Sequence, residues 1–255
     1  MITALYRYPV KGLTAEALDA VELSSVHGFV GDRMVAIRRT ARHSAAPEYG
    51  LPKNHFLMLM RDESLALLDC QFIHHKTELI ISKSGKVLVA APIQTAEGRK
   101  RIEKFFYEYL GDDSLNPMVV HSEDRKFTDI SRISDEKMRA ISLINVNSVK
   151  ALEQVIGRQV DLRRFRANIY FSGVPAWQEL NWVGKAISIG EARAEVVMRT
   201  TRCAATQVNP DTGDRDLNVP KLLHQHFGHR DMGIYAEISR TGNVAIGDQM
   251  VVLKD

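Results

Sequence analysis

The sequence predicts a mainly β protein with peripheral helices, an α+β chain in two units that meet near residue 115. Three observations point there. Short runs rich in β-branched and aromatic residues recur along the whole chain, Gly or Pro separates most of them, and helical periodicity is confined to a few stretches. With 255 residues, 45% of them hydrophobic, the chain has apolar material for one large domain or two ordinary ones.

Residues 2–10 and 19–23 read as strands with the turn-prone Lys11-Gly12 between them, and Val30 to Arg39 as a further strand. From Thr40 to Asn54 the chain is polar and broken by Pro47, Gly50 and Pro52, as an exposed loop requires. Met60 to Leu68 has helical character, and the stretches around Leu79-Ile80-Ile81 and Val87-Leu88-Val89 form a strand pair turned at Ser84-Gly85. Thr95 to Leu110 is a helix: Ile102, Phe105, Phe106 and Tyr109 fall at i, i+3, i+4 and i+7 on one apolar stripe, and Gly111 stops it. The first unit closes there. Beyond Asp112-Asp113-Ser114, Met118-Val119-Val120 restarts extended structure, and Ile141 to Ile144 leads into a helix capped near Asn147 and ended by Gly157. Ala167 to Ser172, Ala186 to Ile189, Ala194 to Thr201, Gly233 to Ile238 and Gln249 to Leu253 are short strands with the punctuation of a small barrel, and the first strand of the chain is free to pack with them.

The charge balance narrows the function. A net charge of +3, from 34 basic and 31 acidic side chains, lacks the excess of a nucleic-acid binder. The chain has no basic stretch leading into an apolar leader and no long apolar run, so no membrane partner is expected and the protein reads as cytoplasmic. Two distant cysteines, Cys70 and Cys203, make neither a zinc knuckle nor a disulfide framework and suit a reducing compartment.

The stretch from Met198 to Gly213 carries the most chemistry. Strand alternation sets Arg199, Thr201 and Cys203 on one face and Thr200 and Arg202 on the other. Neighbouring guanidinium groups favour a thiolate, the ligand a soft metal centre prefers. Pro210-Asp211-Thr212-Gly213 suits a tight turn. The plain alternative for Cys203 is a small buried hydrophobe, the common fate of free cysteine; Cys70, between Leu67-Leu68 and Phe72-Ile73, keeps that reading.

Arg202-Cys203 with the proline turn resembles the signature of MOSC domains, named after the C-terminal part of molybdenum cofactor sulfurases and shared by amidoxime-reducing components and bacterial relatives. Tyr8-Pro9-Val10-Lys11 and Gly31-Asp32-Arg33 resemble the paired motifs of the N-terminal MOSC-associated β-barrel. Arg164-Phe165-Arg166-Ala167-Asn168-Ile169, Ser172-Gly173, Trp177 and Trp182-Val183-Gly184 resemble the arginine-x-asparagine segment of the MOSC domain itself. The likeness spans the chain, and five motifs in order are more specific than any one of them.

The resemblance implies an N-terminal β-barrel-like domain over 1–115, a MOSC β-barrel over 116–255, and the molybdenum cofactor (molybdopterin) between them. It implies Cys203 as metal ligand, with Lys11, Arg33, Arg166, Asn168, Thr201 and Arg202 holding the anionic pterin and Asp129 as a proton relay. Fixed cations with amide and hydroxyl groups are what a phosphate-bearing ring system needs. The implied activity is reduction of N-hydroxylated small-molecule substrates with electrons from a separate donor protein, since two cysteines cannot build a four-thiolate cluster. A persulfide-carrying sulfurtransferase and a non-catalytic cofactor carrier use the same site. Two departures stand out: Gly12 replaces the serine usual after the lysine in the amidoxime-reducing group, and the spacing from Ile130 to Arg139 differs.

Two other constellations weigh less. His224, His226 and His229 suggest a metal, but Asn218 and Pro220 start a helix on which His224 and His226 point apart. Arg158, Arg163, Arg164 and Arg166 suggest RNA, but Asp161 interrupts the run and no aromatic platform accompanies it.

Overall fold

The computed structural model describes residues 1–39, 51–124, 126–129 and 137–253 and is mostly β with three α-helices, the class the sequence predicts. The first half supplies β1 (Ile2–Arg7), β2 (Glu16–Leu18), β3 (Ala20–Ser24), β4 (Gly28–Phe29), β5 (Val35–Arg38), β6 (Asp69–Ile73), β7 (Glu78–Lys83), β8 (Lys86–Pro92) and α1 (Ala96–Leu110). The second supplies β9 (Met118–His121), β10 (Ile141–Asn145), α2 (Val146–Ile156), β11 (Ile169–Phe171), β12 (Ala186–Ile189) and β13 (Ala192–Thr201). Helix α3 (Val219–Phe227) then precedes β14 (Asp231–Arg240), β15 (Gly242–Ala245) and β16 (Met250–Val252).

An eight-stranded sheet in the order β16-β12-β13-β14-β10-β11-β1-β2 curls into a half-barrel, antiparallel except between β10 and β11. Pairing crosses the boundary near residue 115: β1 lies beside β11, β3 beside β15 and β5 beside β9. All five residues of β10 are buried, as a strand covered on both faces requires. Leu143 packs with Ile169, Phe171 and Ile187 inside the half-barrel, while Ile144 packs with Tyr170, Val149, Leu152 and Leu223 beneath α2 and α3. Glycine at 233 permits β14 to approach β10. A Cβ there would lie 2.3 Å from the Leu143 carbonyl oxygen, and its φ of 82° is in the left-handed region.

A second core gathers Val10, Leu13, Val35, the β6-β7-β8 meander and α1. Thr95 caps α1, Gly111 ends it, and Ile102 and Phe106 are fully buried, so the apolar stripe does what its spacing predicts. Elsewhere the local outcome differs. The helical stretch expected over 60–68 shrinks to a 3-10 turn at Glu63–Leu67, because the Asp62 carboxylate ties down the Met58 N–H and Arg39. Residues 69–73, read only for their apolar neighbours, form β6 with alternating burial. Helix α2 is capped by Asn145, whose side chain accepts from the Asn147 N–H. Residues 40–50 of the expected loop lie outside the described residues, as do 130–136 of the segment with altered spacing. Among the described residues no helix is long and apolar enough to cross a membrane.

Candidate functional site

Lys11, Arg33, Asp129, Arg166, Asn168, Thr201, Arg202 and Cys203 all line one cavity of about 320 Å³. They come from the turn after β1, the approach to β5, the segment after β9, the approach to β11 and the end of β13.

The local backbone explains how they meet. Lys11 is buried, and its Nζ donates to the Phe127 carbonyl at 3.0 Å and to Asp129 Oδ1 at 2.6 Å. Arg33 and Arg166 hold left-handed backbones with φ of 47° and 53°, uncommon for residues with a side chain. The Arg33 backbone N–H donates to the Tyr8 carbonyl at 2.6 Å; its guanidinium pairs with Asp32 and donates to the Arg166 carbonyl at 2.9 Å. Arg166 ends a 3-10 turn and donates to the Leu13 carbonyl at 2.5 Å. Both guanidiniums lie over the Tyr8 ring, at 4.7 and 4.4 Å from its centroid.

At the end of β13 the pairing with β14 shifts register between Arg199 and Thr201. Thr200 and Arg202 are buried while Thr201 is exposed, so the alternation predicted from sequence persists. Arg202 is fixed by carbonyls: Nε donates to Met232 at 2.8 Å and Nη1 to Phe165 at 2.9 Å. Cys203, half-buried, leaves the strand and caps the 3-10 turn Ala204–Gln207, its carbonyl accepting from the Thr206 N–H and hydroxyl. Cys70 is walled into the second core, where burial pushes its thiol up.

Asn168 is committed to backbone at both ends, accepting from the Ser142 N–H and donating to the Tyr6 carbonyl. It shapes the cavity wall. The Thr201 hydroxyl donates to Asp231 at 2.6 Å.

The electrostatics of the cavity are lopsided. Among the described residues its lining holds seven cationic side chains, Lys11, Arg33, Lys53, Arg164, Arg166, Arg199 and Arg202, against one carboxylate, Asp129. Burial pushes Lys11 down, opposed by Asp129. Burial alone would raise the Asp129 carboxyl, but Lys11, then Lys53 and Arg33, hold it below the ordinary range. Burial, only partly offset by Tyr8, pushes Arg166 down to about 10, and Arg166 has no ion-pair partner among the described residues. Burial lowers Arg202 too, with Tyr235, Tyr170 and Cys203 opposing. Such a donor set, around one thiol, suits a polyanionic ligand that carries a soft metal. Ser142 and Thr200, two further lining residues, keep buried hydroxyls without hydrogen-bond partners among the described residues, so polar capacity remains there.

The other arginines of the basic run are spoken for: Arg158 and Arg164 pair with Asp216, and Arg163 with Asp161 and Asp211. His224 and His226 are exposed on α3, and no cluster of three metal-ligating side chains occurs among the described residues. Sequence reasoning missed Lys53, in a stretch read as loop, and Ser142 and Tyr235, whose place in the wall depends on strand register.

The chain is similar to several known proteins. A 27% identity over 148 residues links the chain to mitochondrial amidoxime-reducing component 1 of Xenopus laevis, covering 53% of this chain and 43% of that protein. Molybdenum cofactor sulfurase of Drosophila ananassae is 28% identical over 168 residues, covering 63% of this chain and 21% of that protein. The chain thus spans less than half the length of either. Mitochondrial amidoxime reducing component 2 of Bos taurus is 25% identical over 278 residues, covering 97% of this chain and 81% of that protein. Among solved structures, the YuaD protein of Bacillus subtilis has a TM-score of 0.45 at 13% identity, covering 98% of this chain and 92% of that one. YiiM of Geobacillus stearothermophilus has a TM-score of 0.36 at 19% identity, covering 45% and 54%. The MOSC domain model matches residues 124–251, half of the sequence, and the chain belongs to the MOSC domain family.

Proposed function

We propose that the protein binds the molybdenum cofactor and acts as a molybdenum-dependent oxidoreductase that reduces N-hydroxylated small molecules with electrons from a separate protein. The observation that supports this most is the convergence of half-buried Cys203 and a ring of cations, from both halves of the sequence, on one cavity. Relatives named amidoxime-reducing components favour the redox chemistry.

In this reading Cys203 ligates the metal, and residues of both 1–115 and 116–255 line its site. When bound, the cofactor supplies a metal able to exchange oxygen with substrate and to pass electrons. Lys11, Arg33 and Arg166 neutralise the pterin's phosphate, and Asn168 and Thr201 define the wall around its ring. Gly12 offers a backbone N–H in place of the relatives' serine hydroxyl. A side chain would not fit there, since a Cβ would stand 2.8 Å from the Leu57 carbonyl oxygen at a φ of 86°. Arg202 holds a fixed positive charge near Cys203 because carbonyls orient its guanidinium. Asp129, with its side chain 49% exposed and paired with Lys11, is the carboxylate at hand to relay a proton or to support the metal site.

Protein purified from a cofactor-producing host is expected to carry about one molybdenum and one pterin per chain, with Cys203→Ser losing N-reductase activity. Full activity in that variant would refute the assignment. The sulfurase relatives and the half-buried thiol favour a second reading, in which Cys203 carries a persulfide. Intact-mass detection of one added sulfur on Cys203, in protein devoid of molybdenum, would select it. A cofactor carrier would hold the pterin tightly without turnover.

A further inference from the structure

We infer that Tyr235 donates a hydrogen bond to the oxygen of the substrate's N–OH group beside Cys203, an inference that rests on the oxidoreductase reading above. The strand register places it. Tyr235 sits mid-way along β14, paired with Ser142 of β10 on one side and Met198 of β13 on the other, and all three residues line the Cys203 cavity. Its position is stiff, because β14 is held between two neighbours and Gly233 sets its close approach to β10.

Apart from the buried Ser142 and Thr200 hydroxyls, several polar groups around it are already committed within the protein. Asn168 bonds Tyr6 and Ser142, Arg202 bonds Met232 and Phe165, Lys11 bonds Phe127 and Asp129, and Thr201 bonds Asp231. The Tyr235 hydroxyl makes no hydrogen bond among the described residues, although the ring is only partly exposed. It is close enough to Arg202, Arg33, Asp129 and Cys203 to interact with each electrostatically. A phenol is protonated at neutral pH, so its O–H is in place as a donor.

A neutral donor at this point answers a specific need. The N-hydroxylated substrate presents an oxygen that the reduced product lacks, so a hydrogen bond to that oxygen favours substrate over product. Leaving the donor unpaired when product is bound helps release it.

The test is Tyr235→Phe, which keeps the ring and its packing and removes the hydroxyl. Molybdenum and pterin content would be measured first, followed by equilibrium binding of benzamidoxime and of benzamidine to the holoprotein and steady-state reduction of benzamidoxime. The expected result is unchanged cofactor content and benzamidine binding, with benzamidoxime affinity weakened about 3- to 10-fold and KM raised in step. Identical benzamidoxime binding and kinetics in the variant would overturn the inference alone, and so would loss of pterin or molybdenum, which would assign the hydroxyl to the cofactor. A parent protein without molybdenum would overturn the oxidoreductase reading, and this inference with it.

Discussion

Replacing Arg202 by alanine should destabilise the cofactor-free protein as strongly as it impairs cofactor binding. The guanidinium serves two buried carbonyls, Met232 at 2.8 Å through Nε and Phe165 at 2.9 Å through Nη1, and lies over the Phe165 ring. A hydrogen bond from a charged donor contributes roughly 1.5–3 kcal/mol, and two acceptors lose theirs together. Water entering the vacated space restores part of that, so a loss of about 3 kcal/mol is expected, or a Tm lower by about 6–12 °C in a domain of this size. Arg202→Lys should recover little, since a single ammonium cannot reproduce the planar fork between two carbonyls. Urea unfolding of the apoprotein, followed by fluorescence of Trp177 and Trp182, measures both variants. If Arg202→Ala unfolds within about 0.5 kcal/mol of the parent, Arg202 is not a clamp of the fold and its role is confined to the ligand.

Three further outcomes follow from the same contacts. Glu179 is fully buried, and burial raises its carboxyl above the ordinary value although Ser148 and Asn145 donate to it. The folded state therefore binds its proton more tightly than the unfolded one, and this contribution to stability is present below the ordinary carboxyl pKa of 4.5 and is lost as pH rises through the raised value. Glu179→Gln should flatten that part of the urea-midpoint-against-pH curve, and an unchanged slope would count against the assignment. Native protein should react with a maleimide at one thiol, Cys203, and at two in urea, because Cys70 is 6% exposed with its thiol pushed up by burial; two fast thiols in the native state would contradict the packing. Gly233→Ala should lose soluble folded protein, or at least about 3 kcal/mol, because its Cβ would meet the Leu143 oxygen of the adjoining strand; wild-type stability would mean β10 and β14 do not approach so closely.

What could be read in advance divides along physical lines. The stripe of α1 and the caps at Asn218 and Gly157 were legible because each depends on residues a few positions apart. The cavity residues were legible only through the resemblance to MOSC motifs, since by type alone Lys11 and Arg33 read as solvated charges and Cys203 as a small buried hydrophobe. Strand order was not, since nothing local says that β1 pairs with β11 or β3 with β15. Tyr235 was hidden for the same reason: in the run Gly233-Ile234-Tyr235-Ala236 it is an ordinary strand tyrosine until the register sets it opposite Ser142 and Met198. The 3-10 turn at Glu63–Leu67 was obscured by a side chain, Asp62, competing with helix for the backbone N–H groups.

Arg33 and Arg166 are where the proposed cofactor would have the largest effect on stability. Left-handed backbone costs a residue with a Cβ roughly 1 kcal/mol, and the chain accepts that twice within one site. Their guanidiniums repel each other, and the Tyr8 ring beneath them offsets part of the repulsion. Arg164 pairs with Asp216 and Arg33 with Asp32, but among the described residues no carboxylate pairs with Arg166. Strain and unbalanced charge of this kind persist when the surrounding structure holds them in place, and an entering anion removes the imbalance. On the proposed function, an anion that seats against Arg166 should stabilise the folded chain by RT ln(1 + L/Kd), L being the free ligand concentration, so adding the cofactor to the apoprotein should raise its urea midpoint, and an unchanged midpoint would count against a ligand at Arg166.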